Sequence, residues 1–596
     1  MTRRDPTPDA GAPDPRSTRT VVEIATRGRL VVGEPFFVPG VPIVIDRKGL
    51  GDARPGDLAV VRTGRGRARV DAVLGPAKRI ENVLEGLLVE RGERHPFEPH
   101  TPPPPSLDGR VDLRDVPTFT IDPETAKDFD DAISVRPDGD DGRLRVLVHI
   151  ADVAHFVPAG SPLDAGAAAR ALSVYVPGLV APMLPPELAD DLCSLRPYED
   201  RLCATVEVLF DSALAPGEPA CYRSVIRSRA RLTYSQAEAI LAGRERAEPD
   251  VAEGLRLAER VAEELRRRRF ARGALRIEAP EVTFAFDGEG GVERAWLERE
   301  PHAHMLVEEL MILANEAVAS LLAGRRRSAL FRVHEPPDPQ SVERLLSMLA
   351  DLEVPTPPAP DRDHLSPAEA ARVAAAASER VDDYVRRSGR GTAAFPALVL
   401  RSLQQARYDP RNLGHSGLAS AAYCHFTSPI RRYPDVVCHR ALLRELGVSD
   451  DPVPDDLGGL AEHASARERE AASVEYTADE ICLAWLLGDT LFERGWDATF
   501  EGEITGLIGS GLFVRFEEVF DGYVPARFLG GDYFELNVLG TAMQGRRGGR
   551  AYRLGDAIEV RVESIDRADG RVELRLAERA GETAAPPGGR VIRRRT

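Results

Sequence analysis

The chain has 596 residues, room for about three to five domains at roughly 100–200 residues each. Apolar residues make up 43% and charged residues 29%, a globular balance that excludes wholesale disorder, collagen-like repetition and a disulfide-dense miniprotein. Acidic residues (95) outnumber basic ones (78), and the net charge of −17 weighs against a protein that coats nucleic acid over its whole surface.

Residues 1–19 are Pro, Asp, Arg and Thr without periodicity and are expected to be a disordered tail. Residues 20–94 carry short β-branched runs (VVEIA, LVV, FFV, PIVI, DLAVVR) broken by Gly, Pro and Asp, the pattern of a small, reduced barrel. HPFEPHTPPPPSLDG, residues 95–109, reads as a semi-rigid linker. Residues 110–450 mix strands such as RLRVLVHI with helices, one of which puts Val251, Leu255, Ala258, Val261, Ala262 and Leu265 on one face. Within residues 451–495 a second stripe (Val474, Ala478, Ile481, Cys482, Trp485, Leu486) predicts a packed helix stopped at Gly495. Five short strands follow over residues 496–580, as in an OB-type barrel, and residues 581–596 form a basic tail. The fold class expected is multidomain α+β, a mixed sheet-and-helix domain flanked by two OB-type barrels. Six dispersed cysteines without a CxxC pair, an N-terminus without an apolar leader segment and the absence of long apolar runs predict a cytoplasmic protein with no membrane partner.

The densest chemistry is TIDPETAKDFDDA, residues 120–132. Four carboxylates within ten residues, Asp122, Asp128, Asp130 and Asp131, repel one another unless a cation neutralises them, and an all-oxygen set suits a hard divalent ion. Flanking strand signals at 118–122 and 132–135 would fix them at one end of a sheet; the competing reading is a solvated acidic loop. The nearby PDGDDGR, residues 137–143, lies between two strands and reads as a hairpin turn. The second unusual stretch is YCHFTSPIRRYPDVVCHR, residues 423–440, where arginines interleave with aromatics. Such a mixture suits a phosphate backbone with unstacked bases, or else a helix start whose arginines pair with local acids.

With these two motifs the chain resembles the ribonuclease II/ribonuclease R (RNB) family of 3′-to-5′ exoribonucleases. Further blocks occur in the family's order: HIADVAHFV (149–157), PMLPPELADDLCSL (182–195), RGAL (272–275), HMLVEELMILAN (304–315), FRVHEPPDP (331–339) and GHSGL (414–418). The resemblance implies a catalytic domain over residues 110–450 with a helical extension, a cold-shock-like N-terminal barrel and an S1-like C-terminal one. It makes Asp122, Asp128, Asp130 and Asp131 the catalytic aspartates and ligands of Mg²⁺, with Mn²⁺ as a substitute, and Arg431 the arginine that holds the scissile phosphate. Tyr175 falls on the aromatic that stacks on a terminal base, and Arg432 and Phe513 are expected to contact RNA. Glu475 matches a family glutamate near the product end only loosely. Ser510 and Pro525 stand where S1 domains often carry an aromatic and a histidine, Ser416 replaces a common aromatic in GHSGL, and Pro337 stands where a second base-clamping aromatic is usual. The Arg266–Arg269 run is read as a solvated helix end, Glu308–Glu309 as a packing or helix-terminal feature, and His415 and His425 as local hydrogen-bonding groups. The activity implied is Mg²⁺-dependent, processive hydrolysis of single-stranded RNA to nucleoside 5′-monophosphates by a monomer without an organic cofactor; the alternative is an inert RNB-like RNA-binding protein.

Overall fold

Alternation of apolar residues along the first strands places one face of each inside a small sheet and turns the other outward. The computed structural model describes residues 19–63, 68–276, 281–298, 301–358, 365–547, 549–577 and 590–591; of the two expected tails, all but Arg19 and residues 590–591 lie outside these. Strands β1 (Arg19–Arg27), β2 (Leu30–Pro35), β3 (Ile43–Val44), β4 (Asp57–Arg62) and β5 (Arg69–Pro76) pair in the order β3-β2-β1-β4-β5. A parallel bridge between Ile45 and Ala68 joins the two outer strands and closes the sheet. Val22, Ile24, Ala59 and Val61 fill its interior with Ile45 and Ala68. Their neighbours Val21, Leu58 and Val60 pack outward against helix α1 (Ile80–Glu90), through Ile80, Val83, Leu84, Leu87 and Leu88. This helix lies inside the range expected to be barrel alone.

The middle of the chain is built on a seven-stranded mixed sheet. Its strands are β6 (Val111–Asp112), β7 (Phe119–Asp122), β8 (Asp131–Pro137), β9 (Leu144–Ala151), β12 (Asp200–Phe210), β13 (Ala220–Arg227) and β14 (Ala230–Thr233), ordered β14-β7-β8-β9-β12-β13-β6. A separate hairpin, β10 (Val174–Val176) with β11 (Leu179–Ala181), stands beside it. Val146, Val148 and Ile150 of β9 and Ala204, Val206 and Val208 of β12 face α3 (Pro249–Ala271) and α4 (Pro301–Gly324), while the short α2 (Tyr234–Leu241) follows β14 directly. On the opposite face runs a buried row of polar side chains, four from neighbouring strands and Thr118 from just before β7. Thr118 and Ser134 share a 2.8 Å hydrogen bond, His149 lies 3.1 Å from Ser134 and 2.9 Å from Thr205, and Thr205 lies 2.7 Å from Ser224. PDGDDGR is the turn between β8 and β9.

A second hairpin, β15 (Val282–Phe286) and β16 (Val292–Leu297), and helices α5 (Pro339–Asp351), α6 (Pro367–Ser388) and α7 (Ala394–Arg401) extend the domain; α8 (Tyr433–Glu445) starts directly after Arg431 and Arg432 of the arginine motif. The 38-residue α9 (Leu457–Arg494) joins the parts. Its Val474, Ala478 and Ile481 share a core with α1, and its Ala484, Leu487 and Leu491 share one with the C-terminal barrel. It stops at Gly495, whose φ of 97° disfavours any residue with a Cβ. The barrel follows: β17 (Thr499–Ile508), β18 (Gly511–Phe516), β19 (Phe520–Pro525), β20 (Ala557–Asp566) and β21 (Arg571–Leu576), ordered β17-β18-β19-β21-β20 and closed by β20 against β17. Between β19 and β20 three strands of three or four residues (Phe534–Leu536, Ala542–Gly545, Ala551–Arg553) make a small sheet additional to the five strands expected.

Candidate active site

Strands β7 and β8 are antiparallel neighbours, so Asp122, the last residue of one, and Asp131, the first of the other, meet at the same end of the sheet. The loop between them is pinned from PMLPPELADDLCSL. Ser194 donates from Oγ to the Lys127 carbonyl (2.6 Å) and accepts from the Phe129 N–H (3.1 Å), and the Leu195 N–H donates to the Phe129 carbonyl (2.9 Å). Asp130 is buried and faces the arginine motif: its Oδ1 accepts the Ile430 N–H at 2.8 Å and its Oδ2 lies 3.4 Å from Arg431 Nε. A single carboxylate therefore ties together two segments that are 300 residues apart.

Arg431 also donates to Ser428 Oγ at 3.2 Å, and its side chain is 48% exposed towards the cavity. Asp128 Oδ2 accepts from the Tyr175 hydroxyl at 2.5 Å, and the Tyr175 N–H donates to Glu475 Oε1 at 2.9 Å, so the β10–β11 hairpin is held from both sides. All of these groups line one cavity of about 2220 Å³. Tyr234 and His304, stacked at 3.8 Å between ring centroids, line it as well; His304 opens the block HMLVEELMILAN without being given a role, and no motif contains Tyr234.

Burial pushes Asp122 up to about 7, with Asp131 and Asp128 adding repulsion. Burial also pushes Asp131 up to about 6 and Asp130 well above the usual carboxylate range, although Arg431 opposes both shifts. Asp122 Oδ2 is buried and accepts no hydrogen bond, and Asp130 Oδ2, also without one, has the Arg431 guanidinium at 3.4 Å. Buried oxygens that want a positive partner, in an all-carboxylate set, fit a hard divalent cation. Among the described residues the three ligand atoms that converge within 4.8 Å belong to Glu259, Glu263 and His302, mostly exposed on α3 and the start of α4; no three tetrad carboxylates come so close. Exposed groups are already served by water, whereas the tetrad's orphaned oxygens are not.

The remaining predicted residues divide. Arg432 closes its fork on Asp435 at 2.9 and 2.8 Å, which fixes the start of α8 and corresponds to the local-acid alternative. Phe513, on β18 and 44% exposed, lies 5.2 Å from Tyr523, whose hydroxyl donates to Ser510 Oγ at 2.8 Å; this aromatic pair is apart from the aspartate cavity. His425 shares a 2.8 Å hydrogen bond with the Tyr408 hydroxyl, and His415 Nδ1 accepts from the Leu418 N–H at 3.3 Å. Two readings need correction. Arg269 is not part of a solvated helix end but 5% exposed, paired with Glu309 at 2.5 Å, and Glu309 is neither a terminal charge nor simple packing but the buried partner that neutralises it.

Comparison with known proteins bears on the same residues. The RNB domain model matches residues 110–447, more than half of the chain, and the S1 RNA binding domain model matches residues 496–576. The chain belongs to the RNB family. Ribonuclease R of Escherichia coli (strain K12) is 37% identical to this RNB protein over 501 residues, which are 80% of this chain and 59% of that one. The chain thus spans about three-fifths of that relative's length. The structure of Mycoplasma genitalium RNase R in complex with ribose methylated single-stranded RNA superposes with a TM-score of 0.81 at 24% identity, covering 94% of this chain and 89% of that one. Yeast Ssd1, a pseudonuclease, shares the fold at TM-score 0.63 and 17% identity, covering 90% and 68%, so RNB architecture by itself does not decide catalysis. Of the described residues, no helix is long and apolar enough to cross a membrane.

Proposed function

We propose that this RNB protein is a Mg²⁺-dependent 3′-to-5′ exoribonuclease that hydrolyses single-stranded RNA processively to nucleoside 5′-monophosphates, as a cytoplasmic monomer without an organic cofactor. The observation that carries the reading is Asp130, buried between the acidic loop and Arg431 in the lining of a cavity of about 2220 Å³. The 37% identity to a ribonuclease R supports it, and the intact tetrad with Arg431 favours it over an inert scaffold.

In this reading Asp122, Asp128, Asp130 and Asp131 would hold the cation, which when bound would neutralise phosphate charge and activate water. Arg431 presents its guanidinium to the non-bridging oxygens of the scissile phosphate; Ser428 and Asp130 limit its swing, so the charge is in position before the phosphate arrives. Tyr175 offers a ring face to the terminal base while its hydroxyl is tied to Asp128. Arg432 serves by holding the Arg431 segment through Asp435, and Phe513 with Tyr523 gives the S1 barrel a small stacking surface. Recognition of single strands through stacking, backbone and 2′-hydroxyl contacts needs little base-edge readout. A net charge of −17 is compatible with this, because the path of a threaded strand feels local potential rather than total charge.

The test is incubation of the full chain with matched RNA and DNA oligonucleotides and Mg²⁺. RNA alone should yield mononucleotides, and Asp131→Asn should abolish them. Equal activity of the variant, or equal cleavage of DNA, overturns the proposal.

A further inference from the structure

The loop that carries the aspartates is tied down from two different parts of the chain. Ser194 serves its later half, at Lys127 and Phe129. The earlier half is reached from β14, whose parallel pairing with β7 sets Arg231 opposite Thr120 and Thr233 opposite Asp122. Arg231 uses one guanidinium nitrogen, Nη2, on the first two carbonyls after Asp122, donating to that of Pro123 and, at 2.9 Å, to that of Glu124. Its guanidinium carbon also stands 5.5 Å from the centroid of the buried Phe129 ring, between Asp128 and Asp130 in the sequence. One side chain therefore touches the loop just after Asp122 and again just before Asp130. Among the described residues no carboxylate forms an ion pair with it. Its charge nevertheless reaches Asp122, which it pulls down against burial and the repulsion of Asp131.

We propose that Arg231 is a positioning residue for the divalent cation: by bracing the Pro123–Glu124 turn against Phe129 it fixes the spacing between Asp122 at one end of the loop and Asp128, Asp130 and Asp131 at the other. The inference rests on the cation site proposed above. Carboxylates that must meet around one ion repel one another while the ion is away, so the loop that joins them opens unless groups outside the tetrad hold it. Asp122 and Asp131 are fixed by the strands they belong to, whereas Asp128 and Asp130 hang on the loop. Asp130 is tied to Ile430 and Arg431, and Asp128 to Tyr175. None of these ties reaches the turn at Pro123 and Glu124. A guanidinium suits that place, because its rim donates to carbonyls while its flat face meets a ring. Pro123, Glu124 and the aspartates line the cavity and Arg231 does not, so it acts on the loop rather than on a substrate. A positive charge beside a metal site weakens metal binding by repulsion, whereas a brace on the ligands strengthens it. The two effects have opposite signs and can be separated.

The brace is tested by metal binding to the full chain without RNA. Free Mn²⁺ is followed by electron paramagnetic resonance as it is titrated into the metal-free protein. Binding that survives Asp131→Asn is subtracted, so that a group such as Glu259, Glu263 and His302 does not contribute. Loss of a group that orients metal ligands costs roughly 10- to 100-fold in affinity, and Arg231→Met should weaken Mn²⁺ binding by about that factor; a residue acting by charge alone would give tighter binding in the same variant. Arg231→Lys keeps the charge on a shorter arm without a flat face and should weaken binding by a smaller factor, and it carries the test if the methionine variant does not fold. Arg229→Met is the control. Arg229 pairs with Asp250 at 2.9 Å and donates to the Asp115 carbonyl, so its loss removes the same charge without touching the loop and should leave Mn²⁺ binding as in the parent. At saturating Mg²⁺ the KM for oligo(A) should stay near the parent value in both Arg231 variants. Parent-strength binding of Mn²⁺ in either Arg231 variant, tighter binding in Arg231→Met, an equal fall in Arg229→Met, or a raised KM without a change in Mn²⁺ affinity overturns the brace and leaves the cation site standing. A parent that takes up no Mn²⁺ sensitive to Asp131→Asn overturns both.

Discussion

Replacing Asp122 with Asn should stabilise the protein in the absence of a divalent cation while removing its response to one. Asp122 is 8% exposed, and burial with the neighbouring Asp131 and Asp128 raises its carboxyl from 3.8 to about 7. At about 1.36 kcal/mol per pH unit, that rise corresponds to up to about 4 kcal/mol held against the ionised folded state. The folded-state value lies above the unfolded one. The contribution to stability is therefore complete below about pH 4 and is lost as pH rises through about 7. Asn cannot ionise, so at pH 8 in EDTA the variant should resist urea better than the wild type, and the gap should close towards pH 4. Mg²⁺ at a hundredfold excess over its dissociation constant should stabilise the wild type by about 2.7 kcal/mol and the variant far less. The assay is the urea midpoint of the catalytic-domain transition at pH 4 and pH 8, with EDTA or Mg²⁺, at unchanged slope. A variant that is weaker than the wild type in EDTA at pH 8, or equally stabilised by Mg²⁺, would refute the view that these carboxylates are poised for a cation.

Three other outcomes are expected. Arg431→Ala should lower kcat by roughly 100- to 1,000-fold with little change in melting, and Arg431→Lys should recover only part, because an ammonium lacks the fork; steady-state kinetics on oligo(A) checks this, and a fully active lysine variant would count against bidentate contact. Ser194→Ala deletes the hydroxyl that serves both Lys127 and Phe129. It should cost about 1–3 kcal/mol and raise the Mg²⁺ concentration needed for half-maximal activity, and an unaltered Mg²⁺ titration would mean that the loop holds its shape without this pin. His149, inside the polar row, is lowered by burial to about 3 from 6.5, so it is neutral in the folded state and protonated in the unfolded one at intermediate pH. Stability is then complete above pH 6.5 and falls as pH drops towards 3, by about 2 kcal/mol between pH 6.5 and 5; His149→Gln should flatten that fall in urea titrations, and an identical acid profile would place the sensitive group elsewhere.

What can be read from the residues follows the range of the interactions. The tetrad is visible because its geometry is local: two strands and one turn bring Asp122 and Asp131 to the same edge, and strand signals flank both. The helix α9 and its stop at Gly495 are visible in the apolar stripe and the terminal glycine. Helix α1 is there to be read too, since Ile80, Val83, Leu84, Leu87 and Leu88 recur at helical spacing, but its place after five short strands masks it. The roles of Ser194, Arg269 and Glu309 cannot be read, because each depends on a partner brought near only by packing of the sheet with its helices. A run of four arginines looks the same whether all of it is solvated or one member is buried, and only the position of Glu309 separates the two. The polar row across the sheet leaves no pattern either, being made of one residue from each of five segments.

The central claim, hydrolysis that begins at a 3′ end, is tested most directly by following two labels on one single-stranded RNA in Mg²⁺. The account predicts that a 3′-terminal label appears as a mononucleotide from the earliest times, that a 5′ label stays on the shortening chain until its last few nucleotides, and that Asp131→Asn releases neither. Early release of the 5′ label, internal fragments carrying either label, or release of the 3′ label by the variant at the wild-type rate would contradict it.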